Sequence, residues 1–232
     1  MILAGDIGGT KTTLALCDDH GVVQREATEK SADWASLEHI VAKFEPGPVR
    51  AACFGVAGPV VDGVAKITNL PWTIATASLQ AQLGGVPVKL LNDADVQGLA
   101  AIQGTGLELV CTLGTGLGTA WFRDGELMPH MDLTHLALRR KDDFDVLVGD
   151  KTRREIGSQR WNRRIRRLIT VLETVFNYDH LYLGGGNSSC VKFKLPRNVT
   201  IVSNDAGMEG GAFAWLTRSA ATGPARRRAA RR

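Results

Sequence analysis

The chain has 232 residues, 44% hydrophobic and 22% charged, a globular composition that excludes wholesale disorder and fits one or two domains. No stretch approaches 18 uninterrupted apolar residues, so no membrane span is expected. The net charge of +4 is uneven: residues 139–167 hold 11 Lys/Arg against 5 Asp/Glu, residues 218–232 hold six Arg and no acid, and the rest carries −8.

In chain order, residues 2–7 read as a short apolar strand, 12–17 alternate, and 22–27 follow a turn at Asp19-His20-Gly21. Trp34, Leu37, Ile40, Val41 and Phe44 recur at helical spacing until Pro46-Gly47-Pro48 ends the helix. Residues 50–56 read as a buried strand, and 60–67 carry an Asp62-Gly63 hairpin turn. A helix is expected over 74–83 and a strand over 87–91, with a further helix opening at Asn92 or Asp93. Strands at 107–113 and 119–123 flank a glycine loop, and Asp124-Gly125 turns the chain again. Residues 128–150 lack clear periodicity and read as loop with short elements. Trp161, Ile165, Leu168, Leu172, Val175 and Phe176 form one apolar stripe, with Arg163, Arg164, Arg166 and Arg167 largely off it, as in an amphipathic helix. Residues 180–183 form a strand ending in three glycines, 199–202 the last strand and 207–216 a final helix. The Ala/Arg/Gly-rich tail reads as disordered.

Strand, glycine loop, strand, turn, strand occurs twice, from residue 2 and from residue 107. Two α/β lobes are expected, 1–91 and 92–217, with the final helix (207–217) able to pack back on the first and 218–232 as an Arg-rich tail. Cys17, Cys53, Cys111 and Cys190 lie 36, 58 and 79 residues apart, neither a metal knuckle nor a disulfide framework. With no secretory-signal pattern at the N-terminus, a cytoplasmic protein is the expectation.

Gly5-Asp6-Ile7-Gly8-Gly9-Thr10-Lys11 lies between two strands, so it fails the P-loop pattern, which needs a following helix. A turn of this composition still gathers N–H groups into a concavity suited to phosphate oxygens, and Asp6 could hold a Mg²⁺-bound water. An ordinary glycine hairpin is the plain alternative. Gly114-Thr115-Gly116-Leu117-Gly118 repeats the context about 108 residues on, so two such loops could grip a phosphate chain from both sides. Asn92 or Asp93 could simply cap a helix, whereas Asp93 at a strand end could also serve as general base toward a substrate hydroxyl. Asp95 reads as a first-turn acid that favours the helix dipole. Gly184-Gly185-Gly186-Asn187 is either a plain loop or a close backbone approach to a flat ligand such as adenosine.

GDIGGTKT at 5–12, GVAGPV at 55–60, TNLPW at 68–72, LLNDADVQGLAA at 90–101, TLGTGLGTA at 112–120 and LYLGGGN at 181–187 together resemble the ROK family of repressors and sugar kinases. The resemblance covers roughly residues 1–135 and 178–216. It implies the two-lobed, actin-like (ribonuclease H-like) α/β sugar-kinase fold. It also implies donor binding by Asp6, Gly8, Gly9, Thr10 and Lys11, by Gly114, Thr115, Gly116 and Gly118, and by Gly184, Gly185 and Gly186. Asp93 falls on the family's catalytic aspartate, Asn92 on a sugar-binding asparagine, and Asn69 near the sugar loop.

The sequence departs from the family at Asp132-Leu133-Thr134-His135, where the family usually has Glu-x-Gly-His. His135 is kept and Asp132 shortens the reach of the usual Glu. No Cys occurs in 136–160, so the zinc site of many members is not expected, as in the family's polyphosphate-using glucokinases. The basic segment 151–167 has no assigned counterpart; a solvated helix face, a polyanion groove for polyphosphate and a nucleic-acid contact all stay open. With the kinase fold beginning at the first strand, the repressor branch is not expected. The resemblance thus implies a glucokinase-like hexose kinase that uses ATP or polyphosphate with Mg²⁺, phosphorylates a hydroxyl such as O6, and forms a homodimer. The alternative is a non-catalytic sugar- or nucleotide-binding regulator on the same scaffold.

Overall fold

The computed structural model describes residues 1–67, 70–129, 137–139, 142–202 and 206–216. Strands β1 (Ile2–Ile7), β2 (Lys11–Cys17) and β3 (Val23–Lys30) form an antiparallel meander. Helix α1 (Leu37–Phe44) leads to β4 (Ala51–Val56), which pairs parallel with β1. All six β4 positions are buried, as expected for a central strand covered on both faces. A small three-stranded sheet follows, of β5 (Val60–Val61), β6 (Val64–Lys66) and β7 (Thr73–Ala75). Its first turn is Asp62-Gly63, both at positive φ (50° and 72°), the geometry a tight hairpin requires. The helix expected from residue 74 begins later, as α2 (Thr76–Gln82), because Thr73–Ala75 pair with β6 first. β8 (Val88–Asn92) then adds parallel to β4, giving the order β3-β2-β1-β4-β8.

After helix α3 (Asp93–Ala101) the pattern repeats. β9 (Leu107–Leu113), β10 (Leu117–Arg123) and β11 (Glu126–Leu127) form a second antiparallel meander. Between residues 128 and 150, the stretch without periodicity, the described elements are β12 (Ala137–Arg139), β13 (Asp142–Asp143) and α4 (Phe144–Val148). Next come α5 (Asp150–Ile156) and α6 (Ser158–Phe176), which buries Trp161, Ile165, Leu168, Ile169 and Leu172. β14 (His180–Gly184) joins β9 in parallel and β15 (Val199–Ile201) joins β14, giving β11-β10-β9-β14-β15. The two sheets therefore share one strand order and one pattern of directions.

Helices α3 and α7 (Ala206–Phe213) lie between the sheets. Gly98 of α3 sits on β10 and β9: a Cβ there would strike the Phe122 ring and lie 3.1 Å from Val110 Cγ2. Gly211 of α7 sits on the first sheet, where a Cβ would lie 2.9 Å from that of Ala4. The two helices cross at Gly210, whose missing side chain makes room for the Val96 carbonyl. Beyond Phe213 the helix gives way to a turn, and Trp215 Nε1 donates to Ala52 O at 2.9 Å. The last described segment is thereby anchored to the first sheet. Among the described residues no helix is long and apolar enough to cross a membrane.

Candidate active site

The sheet registers bring the glycine motifs to one edge. Ile7 lies beside Val56 and Val56 beside Asn92, so β1, β4 and β8 end level at their carboxyl ends. In the second sheet Gly184 lies beside Thr112, so the Gly114–Gly118 loop and Gly185–Gly186 leave from neighbouring strand ends. The crevice outside the carboxyl ends of parallel strands is the general ligand position of such sheets.

The first loop closes when Gly8 N donates to Lys11 O at 3.0 Å. Ser31, fully buried, fastens it: its Oγ donates to Gly8 O (2.8 Å) and its N–H to Thr10 O (3.1 Å). Thr10 and Lys11 are exposed at the tip.

The second loop is braced from three elements. Asp145 Oδ1 on α4 accepts from Leu117 N at 2.8 Å, and Asp150 N at the start of α5 donates to Gly114 O at 3.0 Å. Asn187 Nδ2 donates to the same Gly114 carbonyl at 3.0 Å, and Asn187 N donates to Leu113 O at 2.9 Å. Gly116 lies against the Asp145 carboxylate with no room for a side chain, whereas a Cβ on Gly114 or Gly186 would meet nothing within 4 Å. Gly185 takes φ +81°, pressed against the Leu113 backbone.

Asn92 caps α3: its Oδ1 accepts from Ala94 N at 2.9 Å, and Asp95 closes the capping box by accepting from Asn92 N at 3.3 Å. Its Nδ2 donates to Gly58 O at 3.1 Å, tying in the Gly58 turn. The capping reading of Asn92 is therefore realised, and Asp95 does more than favour the dipole.

Asp93, the first residue of α3, is free of that task. Burial pushes its carboxyl up to about 6; a hydrogen bond from Ala94 N opposes the shift, while the Asp6 and Asp95 carboxylates reinforce it. Asp6 is raised too, chiefly by burial, with Lys11 drawing it back down. The second glycine loop reaches the same place: a Cβ on Gly118 would lie 3.4 Å from Asp93 Oδ1. Asp6, Asp93 and Gly118, far apart in sequence, thus converge.

Asn69, Asp132 and His135 lie outside the described residues. Among the described residues no group of three His, Cys, Asp or Glu side chains gathers as a metal site. Ser31, Asp145, Asp150 and Asn187 were not marked as site residues by sequence. Asn187 closes a quoted motif, but the other three lie in stretches with no pattern to single them out.

A glucokinase family model matches residues 3–116. The chain is 42% identical over 104 residues to a glucokinase of Nostoc punctiforme, covering 40% of this chain and 30% of that protein's length. It is 28% identical over 184 residues to the polyphosphate glucokinase of Mycobacterium tuberculosis, covering 72% of this chain and 69% of that one. The crystal structure of an inorganic polyphosphate/ATP-glucomannokinase from Arthrobacter sp. strain KM matches with TM-score 0.76 and 26% identity, over 92% of this chain and 97% of the other. A ROK family glucokinase from Streptomyces griseus shares the fold at TM-score 0.69 and 18% identity, over 91% of this chain and 97% of that one. The fold is the two-lobed, actin-like sugar-kinase fold, and in sequence the chain is similar to glucokinases and polyphosphate glucokinases.

Proposed function

We propose that the chain is a hexose kinase that transfers the terminal phosphoryl group of ATP or inorganic polyphosphate to a sugar hydroxyl, O6 in a glucose-like substrate. The observation that carries the reading is Asp93, a burial-raised carboxyl at a strand end beside the second glycine loop. A base with a pKa near 6 is mostly ionised at neutral pH and still basic enough to accept a proton in the transition state.

In this reading the first sheet with residues 1–91 and the second with 92–217 are the two lobes. The sugar lies beside Asp93, with Asn92, Asn69, Asp132 and His135 as hydroxyl partners. The Gly8-Gly9-Thr10-Lys11 and Gly114–Gly118 loops present N–H groups to the donor's terminal phosphates, and Gly184–Gly186 lies along the adenosine or the next part of the chain. The sugar oxygen attacks the terminal phosphorus in line. Its proton passes to Asp93 as the bond from phosphorus to the bridging oxygen breaks, leaving ADP or a polyphosphate one unit shorter. Approach of the lobes excludes water that would otherwise take the phosphoryl group.

Mg²⁺ fits the residues present. Asp6 and Asp93 are two carboxyls in one low-dielectric place, the kind of sparse oxygen set that Mg²⁺ shares with phosphate and water. Asp6 would hold it through a water, and the ion would supply neutralising charge at the phosphates.

Assay of purified protein against a panel of hexoses with ATP and with polyphosphate tests the reading. Phosphorylation of a hexose with either donor supports it; sugar binding with no turnover on any donor overturns it in favour of a regulator.

A further inference from the structure

The basic segment is not spread at random over α6. Between residues 160 and 167, Trp161 and Ile165 are buried, and every other position except Asn162 is arginine. Asn162 is spent on bracing a neighbouring loop: its Nδ2 donates to Cys190 O at 3.0 Å and its Oδ1 accepts from Lys192 N at 2.7 Å. That loop carries Lys192, Lys194 and Arg197, all exposed, and Arg166 lies over its Phe193 ring at 4.7 Å. The loop therefore extends the arginine face sideways. Among the described residues Arg160, Arg163, Arg167 and these three cations make no ion pair. A solvated face carrying so much unbalanced charge costs self-repulsion, which a polyanion would relieve.

This face joins the proposed donor loop through shared braces. Arg164 Nη1 donates to Leu147 O at 3.0 Å, on the same helix α4 whose Asp145 holds Leu117 N. Asn187, which holds Gly114, opens the segment that runs on to Lys192. The aromatic rings of this region are occupied: Trp161 is buried with its N–H on Val148 O, Phe193 lies beneath Arg166, and Phe176 packs on Trp121. Single-stranded nucleic acid binds such grooves by stacking bases on exposed aromatic rings, and none is offered among these three. A phosphate chain without bases needs only cations.

We propose that the arginine face of α6, with the 192–197 loop beside it, binds inorganic polyphosphate and carries the chain whose end enters the second glycine loop. The inference rests on the donor site proposed above. Arg160, Arg163 and Arg167 span about 10 Å at the helical rise, so the face favours long chains over tripolyphosphate.

The test compares wild type with the triple variant Arg160→Gln, Arg163→Gln, Arg167→Gln, in direct binding and in hexose phosphorylation. Glutamine keeps the helix propensity, and circular dichroism checks the fold. Wild type is expected to bind long-chain polyphosphate at least about tenfold tighter than tripolyphosphate. The variant should lose that preference, and its salt slope should fall by about 2, the value for three lost contacts on a flexible polyanion. Its kcat/KM with ATP should be unchanged while its KM for polyphosphate rises. Unaltered polyphosphate binding or KM in the variant overturns the inference, as does a single-stranded oligonucleotide that binds wild type as tightly as polyphosphate. Wild type that phosphorylates hexose with ATP but binds no polyphosphate overturns the inference and leaves the kinase reading standing. Wild type that binds long-chain polyphosphate through these arginines yet phosphorylates no hexose overturns the kinase reading and supports the binding face.

Discussion

Gly118 and Asp93 are neighbours in space: a side-chain carbon on Gly118 would fall 3.4 Å from the Asp93 carboxylate. The same carbon would lie 3.3 Å from Ala94 Cβ and would collide with Thr112 Oγ1. Glycine here lets the β9–β10 hairpin and the start of α3 share one wall of the crevice.

Asp93 should impose a pH signature. Its folded carboxyl sits at about 6 and its ordinary value is 3.8, so between these the folded state holds more protons than the unfolded state. Its contribution to stability is therefore greatest in acid and is lost as pH rises through about 6. Asp93→Asn removes the charge, so its melting temperature should exceed wild type at pH 7, with the difference closing below pH 4. In wild type, kcat/KM should fall below about pH 6, where the base is protonated. A melting temperature lower than wild type at pH 7 would contradict the burial account.

The two ends of the second loop should respond differently to a methyl group. Gly114→Ala meets nothing within 4 Å in the free protein, so stability should stay within about 0.5 kcal/mol of wild type. If phosphates lie there, its KM for the donor should rise. Gly116→Ala collides with Asp145 and should lose both loop geometry and stability. Thermal melts with donor titrations distinguish the two.

Ser31→Ala removes the buried hydroxyl that holds Gly8 O and faces Thr12 Oγ1 at 3.0 Å. A loss of about 1–3 kcal/mol is expected, because buried polar partners are left unmade. The first loop should also loosen, raising the donor KM with less effect on sugar affinity. An unchanged denaturation midpoint and donor KM would show that the loop holds itself.

Gly98→Ala tests the seating of α3 on the second sheet. Alanine gains about 1 kcal/mol of helix propensity, but its methyl would enter the Phe122 ring. Overpacking of about 1–3 kcal/mol should win, giving a net loss of stability in chemical denaturation.

Much of this was legible in the sequence because the motifs are local. Asp62-Gly63 and Asp124-Gly125 declare their hairpins, and both aspartates take positive φ (50° and 51°). The α6 stripe predicted Trp161, Ile165, Leu168 and Leu172 on the buried face, but Val175, in the same stripe, is 61% exposed near the helix end. The site's anchors were not legible for a physical reason: Ser31, Asp145 and Asp150 act through hydrogen bonds across 23, 28 and 36 residues, which no local pattern encodes. The late start of α2 had the same origin, since Thr73–Ala75 are recruited by pairing with β6.

In the proposed mechanism Asp93 takes the proton from the sugar hydroxyl. The most direct measurement is turnover of Asp93→Asn with hexose and ATP, alongside calorimetric titration of the sugar. Asp93→Asn should lose about 10²–10⁴ in kcat, the worth of a positioned general base, with sugar affinity essentially kept. Turnover near the wild-type rate, with the sugar still bound, would contradict it.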